Sequence, residues 1–324
     1  MLQLVNLSNY TTDNDLICNQ ADYLQNFLTR HNLDGFEMMF CAPWDKHVHK
    51  QEWIHGVHLR FWPWWLDFWR GDQQELLRQF GSEENIKACY GGTTREAWLD
   101  AYRDNIRTAK QAGAKYAVFH VSHARTPELF NWQFSVSDRE VIEATIQVVN
   151  ELADEIPDDM TLLFENLWWP GLTLKDKDLT ALLLDGVKHR NIGIMLDTGH
   201  LMNTNPELRA EAEGVDYILE TLSQLGRYSR YIRGIHLHCS LSGEYVKYSK
   251  NNVRRDPQYT LAEVMTHVLK IDEHLPFSTP AVQRILDYVQ PDYLVHEFMK
   301  NSMGEWEEKI ICQQQALNFR RLVK

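Results

Sequence analysis

The sequence predicts an α/β protein, a closed (β/α)8 TIM barrel with long loops at its active-site rim, and three observations lead there. Eight short β-rich runs recur along the chain, helical patterns separate most of them, and side chains able to hold a metal stand at the ends of those runs. An open doubly wound sheet is the competing architecture. It would want a glycine-rich phosphate turn after the first strand, and residues 6–10 offer none.

Taken in order, the strands are expected at 2–7, 35–41, 54–61, 115–122, 161–167, 192–198, 232–239 and 293–298. A helix fits 15–31. The stretch 95–113 carries apolar residues at helical spacing and closes on Gly113, while Ser137 with Glu140 reads as an N-cap and capping box opening a helix that runs to 155. Further helices fit 176–187, 206–225, 260–270, 279–288 and 306–322. No linker or low-complexity tract divides the chain, so 1–324 is expected to be a single barrel domain. Two connections are long, 62–94 and 240–292, and barrel insertions of that length usually shape the active-site mouth.

Composition sets the class. With 324 residues, 44% hydrophobic and 24% charged, the chain is an ordinary globular protein, and barrels of this size form one core. The first residues, MLQLVNLSNY, have no basic start and no long apolar region, so they read as a strand and not as a secretion signal. No apolar stretch is long enough to span a bilayer. The five cysteines, Cys18, Cys41, Cys89, Cys239 and Cys312, form no C-x-x-C pair, which argues for reduced thiols and a cytoplasmic location. A net charge of -12 disfavours nucleic acid as a partner and leaves a small-molecule substrate as the expectation. Lys247, Lys250, Arg254 and Arg255 in the second long connection could still form a local basic groove.

The chemistry follows from the strand ends. In a barrel the carboxyl ends of all strands share one rim, so His58, His120, Glu165, Asp197, His236 and Glu297 would approach a common point. Carboxylates meeting there repel and lose hydration, and a divalent cation removes that conflict. Imidazole and carboxylate donors suit zinc, manganese or cobalt better than calcium, and the absence of cysteine ligands points to a catalytic site. Taken singly, a strand histidine is more often a hydrogen-bonded structural residue than a ligand; six such groups at equivalent strand ends are not explained that way. On IHLH, period two puts His236 and His238 on one face, so one is expected to bind metal and the other substrate. In FHVSH, His120 ends the strand and His123 lies beyond it, a weaker candidate for substrate. The strongest local signal is IGIMLDTGH, an apolar strand ending in Asp197 with a turn that returns His200 to the rim.

These motifs, FHVSH, LLFENLWWPG, GIMLDTGHLMNT, GIHLHCS and YLVHEF in this order, resemble the xylose isomerase-like TIM barrel superfamily, and within it the AP endonuclease family 2 branch. The resemblance implies that Glu165, Asp197, His236 and Glu297 match metal ligands shared across the superfamily, with His200 near metal or substrate. It also implies, by similarity to endonuclease IV and its three zincs, that His58, His120, His200, Asp272 and His274 are further ligands. The bland alternative for Asp272 and His274 is a pair of exposed residues at a helix end.

The resemblance leaves two mechanisms open. In hydrolysis, one to three ions, zinc foremost and manganese or cobalt as alternatives, would lower the pKa of a bound water that Glu165 orients, acting on a phosphodiester or amide. In isomerisation or epimerisation of a sugar, Glu165 and Glu297 would shuttle a proton through an enediol. A DNA abasic-site endonuclease and a non-catalytic sugar-binding barrel are less favoured. The run HLRFWPWWLDFWRGD brings Trp62, Trp64, Trp65 and Trp69 beside Arg60; it is either a core patch under the loop or, with Trp168 and Trp169, an aromatic wall. As a wall, Arg60, Trp62 and Trp168 would face a ring-bearing substrate, and the superfamily's cobamide-remodelling amidohydrolases act on such a ligand.

Overall fold

A computed structural model of the chain describes residues 1–254 and 259–318. Eight parallel strands close a barrel in chain order: β1 (Leu2–Ser8), β2 (Gly35–Met39), β3 (Ile54–His58), β4 (Tyr116–His120), β5 (Thr161–Glu165), β6 (Ile192–Asp197), β7 (Ile232–Leu237) and β8 (Tyr293–His296). β1 pairs with β8, which completes the ring and removes the sheet edges.

Each strand sends alternate side chains inward and outward. One set, including Val5, Phe36, Val57, Phe119, Phe164, Ile194, Ile235 and Leu294, joins the large core packed against the surrounding helices. The other set forms a separate apolar cluster of Leu4, Tyr116, Val118, Leu163, Met195 and Val295. Glycines on neighbouring strands make room for the bulkiest members: a Cβ on Gly56 would fall 2.0 Å from the Tyr116 ring, and one on Gly234 2.6 Å from Met195 Cε. Two residues further along the same strand face stand His120, Glu165, Asp197 and Glu297, with His58 and His236 two beyond the glycines. Period two therefore stacks a polar layer on the apolar one.

The helices follow the expectation with local differences. The N-cap serine and capping box at Ser137 and Glu140 are formed, opening the helix Asp138–Glu151. The expected 15–31 helix is two helices, Thr11–Leu16 and Ala21–His31, broken where Cys18 and Asn19 adopt positive φ. The expected 206–225 helix starts only at Glu211. The last helix is Met303–Ala316, and the expected extension over 319–322 lies outside the described residues, as does Arg255.

The connection 62–94 holds three short helices, Trp65–Arg70, Gln73–Phe80 and Glu83–Tyr90, and here the reading of an aromatic wall is corrected. Trp62, Trp65 and Trp69 are buried around Trp98, with ring centroids 5.8, 5.8 and 6.2 Å away. Trp62 donates from Nε1 to the Cys89 carbonyl, so it belongs to the core and does not face a substrate. Arg60 is exposed and lies 4.8 Å over the Trp62 ring. The segment after β4 pins this insertion. Trp65 Nε1 donates to the Ser122 carbonyl at 2.8 Å, Ala124 N–H to the Pro63 carbonyl at 3.0 Å, and Arg125 grips Asp67 through two bonds of 2.7 and 2.9 Å.

His123 is part of this anchor, which corrects its expected contact with substrate: it is fully buried and its Nδ1 accepts the Leu66 N–H at 3.3 Å. Burial pushes its imidazole pKa down to about 4 from 6.5. The unfolded chain therefore binds more protons than the folded one between those values, and stability falls as pH drops from 6.5 towards 4. The full difference amounts to about 3 kcal/mol. Urea unfolding of the wild type and His123→Asn across that window is expected to show a shallower loss in the variant by about that amount; parallel curves would remove His123 as the titrating group.

Candidate metal centre

The polar layer of the barrel mouth is built from strand ends whose positions are fixed locally. Asp197 ends β6 and N-caps the helix Thr198–Asn203, its Oδ1 accepting the His200 N–H at 2.6 Å, so Oδ2 is left to face the mouth. Asn166 exchanges two 2.9 Å bonds with the Asp197 backbone and locks the ends of β5 and β6 together.

Around these, the donors fall into three groups. In the first, His58 Nε2 and His120 Nε2 stand 3.0 and 3.1 Å from Glu165 Oε2. His58 Nδ1 donates to the Leu59 carbonyl at 3.0 Å, which leaves Nε2 as the nitrogen turned to the group. In the second, His236 Nδ1 lies 3.2 Å from Glu165 Oε1, 3.0 Å from Glu297 Oε2 and 3.9 Å from Asp197 Oδ2. In the third, His200 Nε2 and His274 Nε2 lie 3.1 and 3.3 Å from Asp272 Oδ2. Glu165 spans the first two groups with its two oxygens. The long connection returns to the rim through a bridge between Cys239 and Leu275, which sets His238 and His274 side by side, rings 4.4 Å apart. Asp272 and His274 are thus buried beside His200 and are not exposed helix-end residues.

Charge shows why these groups stay together. Burial pushes Glu165 upward, yet His120 and His236 hold its carboxyl well below the usual range. Burial likewise opposes charge on His236, but Glu297, Glu37 and Glu165 raise its pKa well above 6.5. His200 is raised in the same way by Asp197 and Asp272. These clustered carboxylates and imidazoles could bind metal ions, because a cation can replace the protons that otherwise balance them. The fit is also visible in atoms without hydrogen bonds: His238 Nδ1 and Glu297 Oε2 are buried and unpartnered. Glu297 Oε2 is close to His236 Nδ1 but outside hydrogen-bonding geometry, as two donors aimed at a common centre would be.

The remaining expected residues divide. Trp168 is buried with its ring 5.0 Å from His200, so it does border the centre. His238, expected to meet substrate, is fully buried, with Nε2 2.9 Å from Asp197 Oδ2. The aromatic border of the mouth comes from Phe61, 4.4 Å from His120, and from Trp168, in place of Trp62. Lys247 pairs with Glu207, Arg254 pairs with Glu263, and Lys250 sits over the Trp132 ring, so these cations of the long connection are partnered.

Glu37 on β2 lies outside the set expected from sequence. It is buried, its Oε1 accepts from His236 Nε2 at 2.9 Å, and its Oε2 accepts from the Tyr116 hydroxyl at 2.8 Å. An acidic residue inside the apolar run GFEMMF is the available signal. The contact fixes the His236 tautomer, leaving Nδ1 for a cation. For a cation at this position, Glu37→Gln is expected to weaken retention about 10- to 100-fold in competition with a chelator. Unchanged retention would show that Glu37 does not orient His236.

Three solved structures share this architecture. A D-tagatose 3-epimerase-like protein is 14% identical, with a TM-score of 0.53 and 98% of both chains covered. Endonuclease IV from Thermus thermophilus is 15% identical, with a TM-score of 0.50 over 99% of this chain and 100% of that one. The IolI protein with a binding zinc atom is 12% identical, with a TM-score of 0.50 over 98% and 96%. Residues 30–279 match the family described as the xylose isomerase-like TIM barrel, and the chain belongs to that family.

Proposed function

We propose that this chain is a divalent-metal-dependent hydrolase that cleaves a phosphodiester or amide of a ring-bearing small molecule, with zinc as the ion and up to three ions bound. The observation that carries this reading is the place of Asp272 and His274. Beyond the four donors Glu165, Asp197, His236 and Glu297, they add a third group against His200, and donors in that number suit clustered ions better than a single one. Bound zinc would supply a water of lowered pKa and an electrophilic grip on the substrate oxygen.

The chain's own residues then divide the work. Glu165, fully buried between two groups, orients the water through whichever oxygen faces it. Glu297 is the more accessible carboxylate, its side chain 16% exposed against 1% for Glu165, and takes up the proton. Phe61 and Trp168 give the mouth apolar ring faces against which a planar substrate group can pack. The partnered cations of the long connection and the net charge of -12 disfavour DNA. The five free cysteines fit a reducing cytoplasm, and no helix among the described residues is long and apolar enough to cross a membrane.

A second reading is favoured by two contacts: Glu165 and Glu297 both lie close to His236 Nδ1, at 3.2 and 3.0 Å, an arrangement of two carboxylates that could pass a proton across a sugar carbon. The D-tagatose 3-epimerase-like neighbour supports it. The two separate in one set of assays. Purified protein is expected to hold at least two equivalents of zinc or manganese. Chelation is expected to abolish hydrolysis of a chromogenic phosphodiester or anilide, zinc to restore it, and Glu165→Gln to lower kcat by a factor of about 100 or more. Fewer than two equivalents would overturn the hydrolytic reading, and solvent deuterium entering a ketose without hydrolysis would establish the isomerase.

A further inference from the structure

We propose that His238 is itself a ligand of the third cation position, through Nδ1, and that Gly199 is the residue that admits it. The inference rests on the metal-dependent reading above and extends it to a residue outside the three groups already described.

The tautomers carry the first step. His200 Nδ1 lies 2.9 Å from the Asn166 carbonyl and His274 Nδ1 lies 3.0 Å from the Asp272 carbonyl. A carbonyl only accepts, so both Nδ1 atoms carry hydrogen and each Nε2 is left to face the Asp272 carboxylate. His238 is turned the other way. Its Nε2 donates to Asp197 Oδ2 at 2.9 Å, which leaves Nδ1 as the bare nitrogen, 3.9 Å from Asp272 Oδ1. That Nδ1 is buried and has no hydrogen-bond partner. His238, Asp272 and His274 form one group whose ligand atoms all lie within 4.8 Å of one another, and His200 Nε2 reaches the same Asp272 carboxylate at 3.1 Å, so three imidazoles border it, the donor types that zinc takes.

The position of His238 supports the same assignment. It belongs to two groups of donors whose atoms all lie within 4.8 Å of one another, one with Asp197 and His200 and one with Asp272 and His274. Its ring thereby joins the second cation position, through Asp197, to the third. The backbone is clamped for the purpose: Thr198 Oγ1 donates to the His238 carbonyl at 2.6 Å and accepts its N–H at 3.1 Å. The ring occupies space that any other residue at 199 would fill, since a Cβ on Gly199 would stand 2.0 Å from His238 Cε1 and 2.4 Å from Nδ1. If His238 served only to orient Asp197, its second nitrogen would be left buried and unsatisfied, which native interiors avoid.

The test reads metal and not activity. His238→Gln places an amide nitrogen near the position of Nε2, keeping a donor for Asp197 while removing the Nδ1 lone pair. Elemental analysis with chelator competition is expected to show three zinc equivalents in the wild type and one of them lost, or held at least about tenfold more weakly, in the variant. Gly199→Ala, which displaces the ring, is expected to lose the same equivalent. Should neither variant fold, a crystal structure of the zinc-loaded wild type decides: His238 Nδ1 about 2.0–2.1 Å from an ion supports the assignment, and a separation above about 3 Å overturns it. Wild-type retention in His238→Gln, or a wild type holding only two equivalents, overturns the assignment and leaves the proposed function standing. A wild type holding fewer than two overturns both.

Discussion

Carboxylates cannot share a dry barrel mouth unless positive charge stands between them, and the rest of this molecule is arranged around that constraint. Glu165 and Asp197 are fully buried, with Asp272 and Glu37 nearly so. A carboxylate isolated in low dielectric takes up a proton and stops being an effective donor. Imidazoles meet the need from every side: against burial, His120 and His236 hold Glu165 charged, and His274, His200 and His238 hold Asp272 charged. Protons on those rings and cations between them are competing solutions, because a nitrogen that carries a proton cannot hold a metal. The hydrogen bonds behind the rings tilt that competition. His58, His200 and His274 each turn one nitrogen onto a backbone carbonyl, leaving the other directed into the centre.

Delivering so many donors to one place is a matter of register. A strand turns every second residue to the same face, so the apolar layer of Val118, Leu163, Met195 and Val295 determines that His120, Glu165, Asp197 and Glu297 lie directly above it. A slip of one residue would send all of these to the helices. The layer is secured by size matching across strands, where Gly56 and Gly234 receive Tyr116 and Met195. The same Tyr116 then reaches up through its hydroxyl to Glu37, and Glu37 to His236. Packing and electrostatics are joined in that one side chain.

This explains how much could be read in the chain. The eight strands were legible because each is a local run with its own pattern; His58, His120, Glu165, Asp197, His236 and Glu297 were legible because they end those runs, whereas Asp272 and His274 were legible only through the family resemblance. The connections were not. Trp62, Trp65 and Trp69 gather on Trp98, which comes from a distant helix, and no local spacing distinguishes a core patch from a wall. Glu37 sits mid-strand, so a rule looking at strand ends passes over it. His238 obeys the period of two, but its direction depends on the room left by Gly199 and on the Cys239 to Leu275 bridge, both made by tertiary contacts.

The segment just after β4 ties the aromatic border to the candidate metal centre. On one side it holds the 62–94 insertion through Ser122, His123, Ala124 and Arg125, and with it Phe61. On the other it meets the loop that carries Trp168: Ser122 bridges Gly171, whose φ of 141° and whose closeness to Val121, a Cβ falling 2.1 Å from the carbonyl oxygen, admit only glycine. His120 lies two residues before Ser122 on the same continuous backbone. The two ring faces and the first donor group are therefore positioned by one short stretch, buried from Val121 to Ala124, and neither face can shift without pulling on the imidazole beside Glu165. On the proposed hydrolytic reading, a mouth built this way would select a substrate by a fixed width and pass any misfit of its ring to the imidazole beside Glu165.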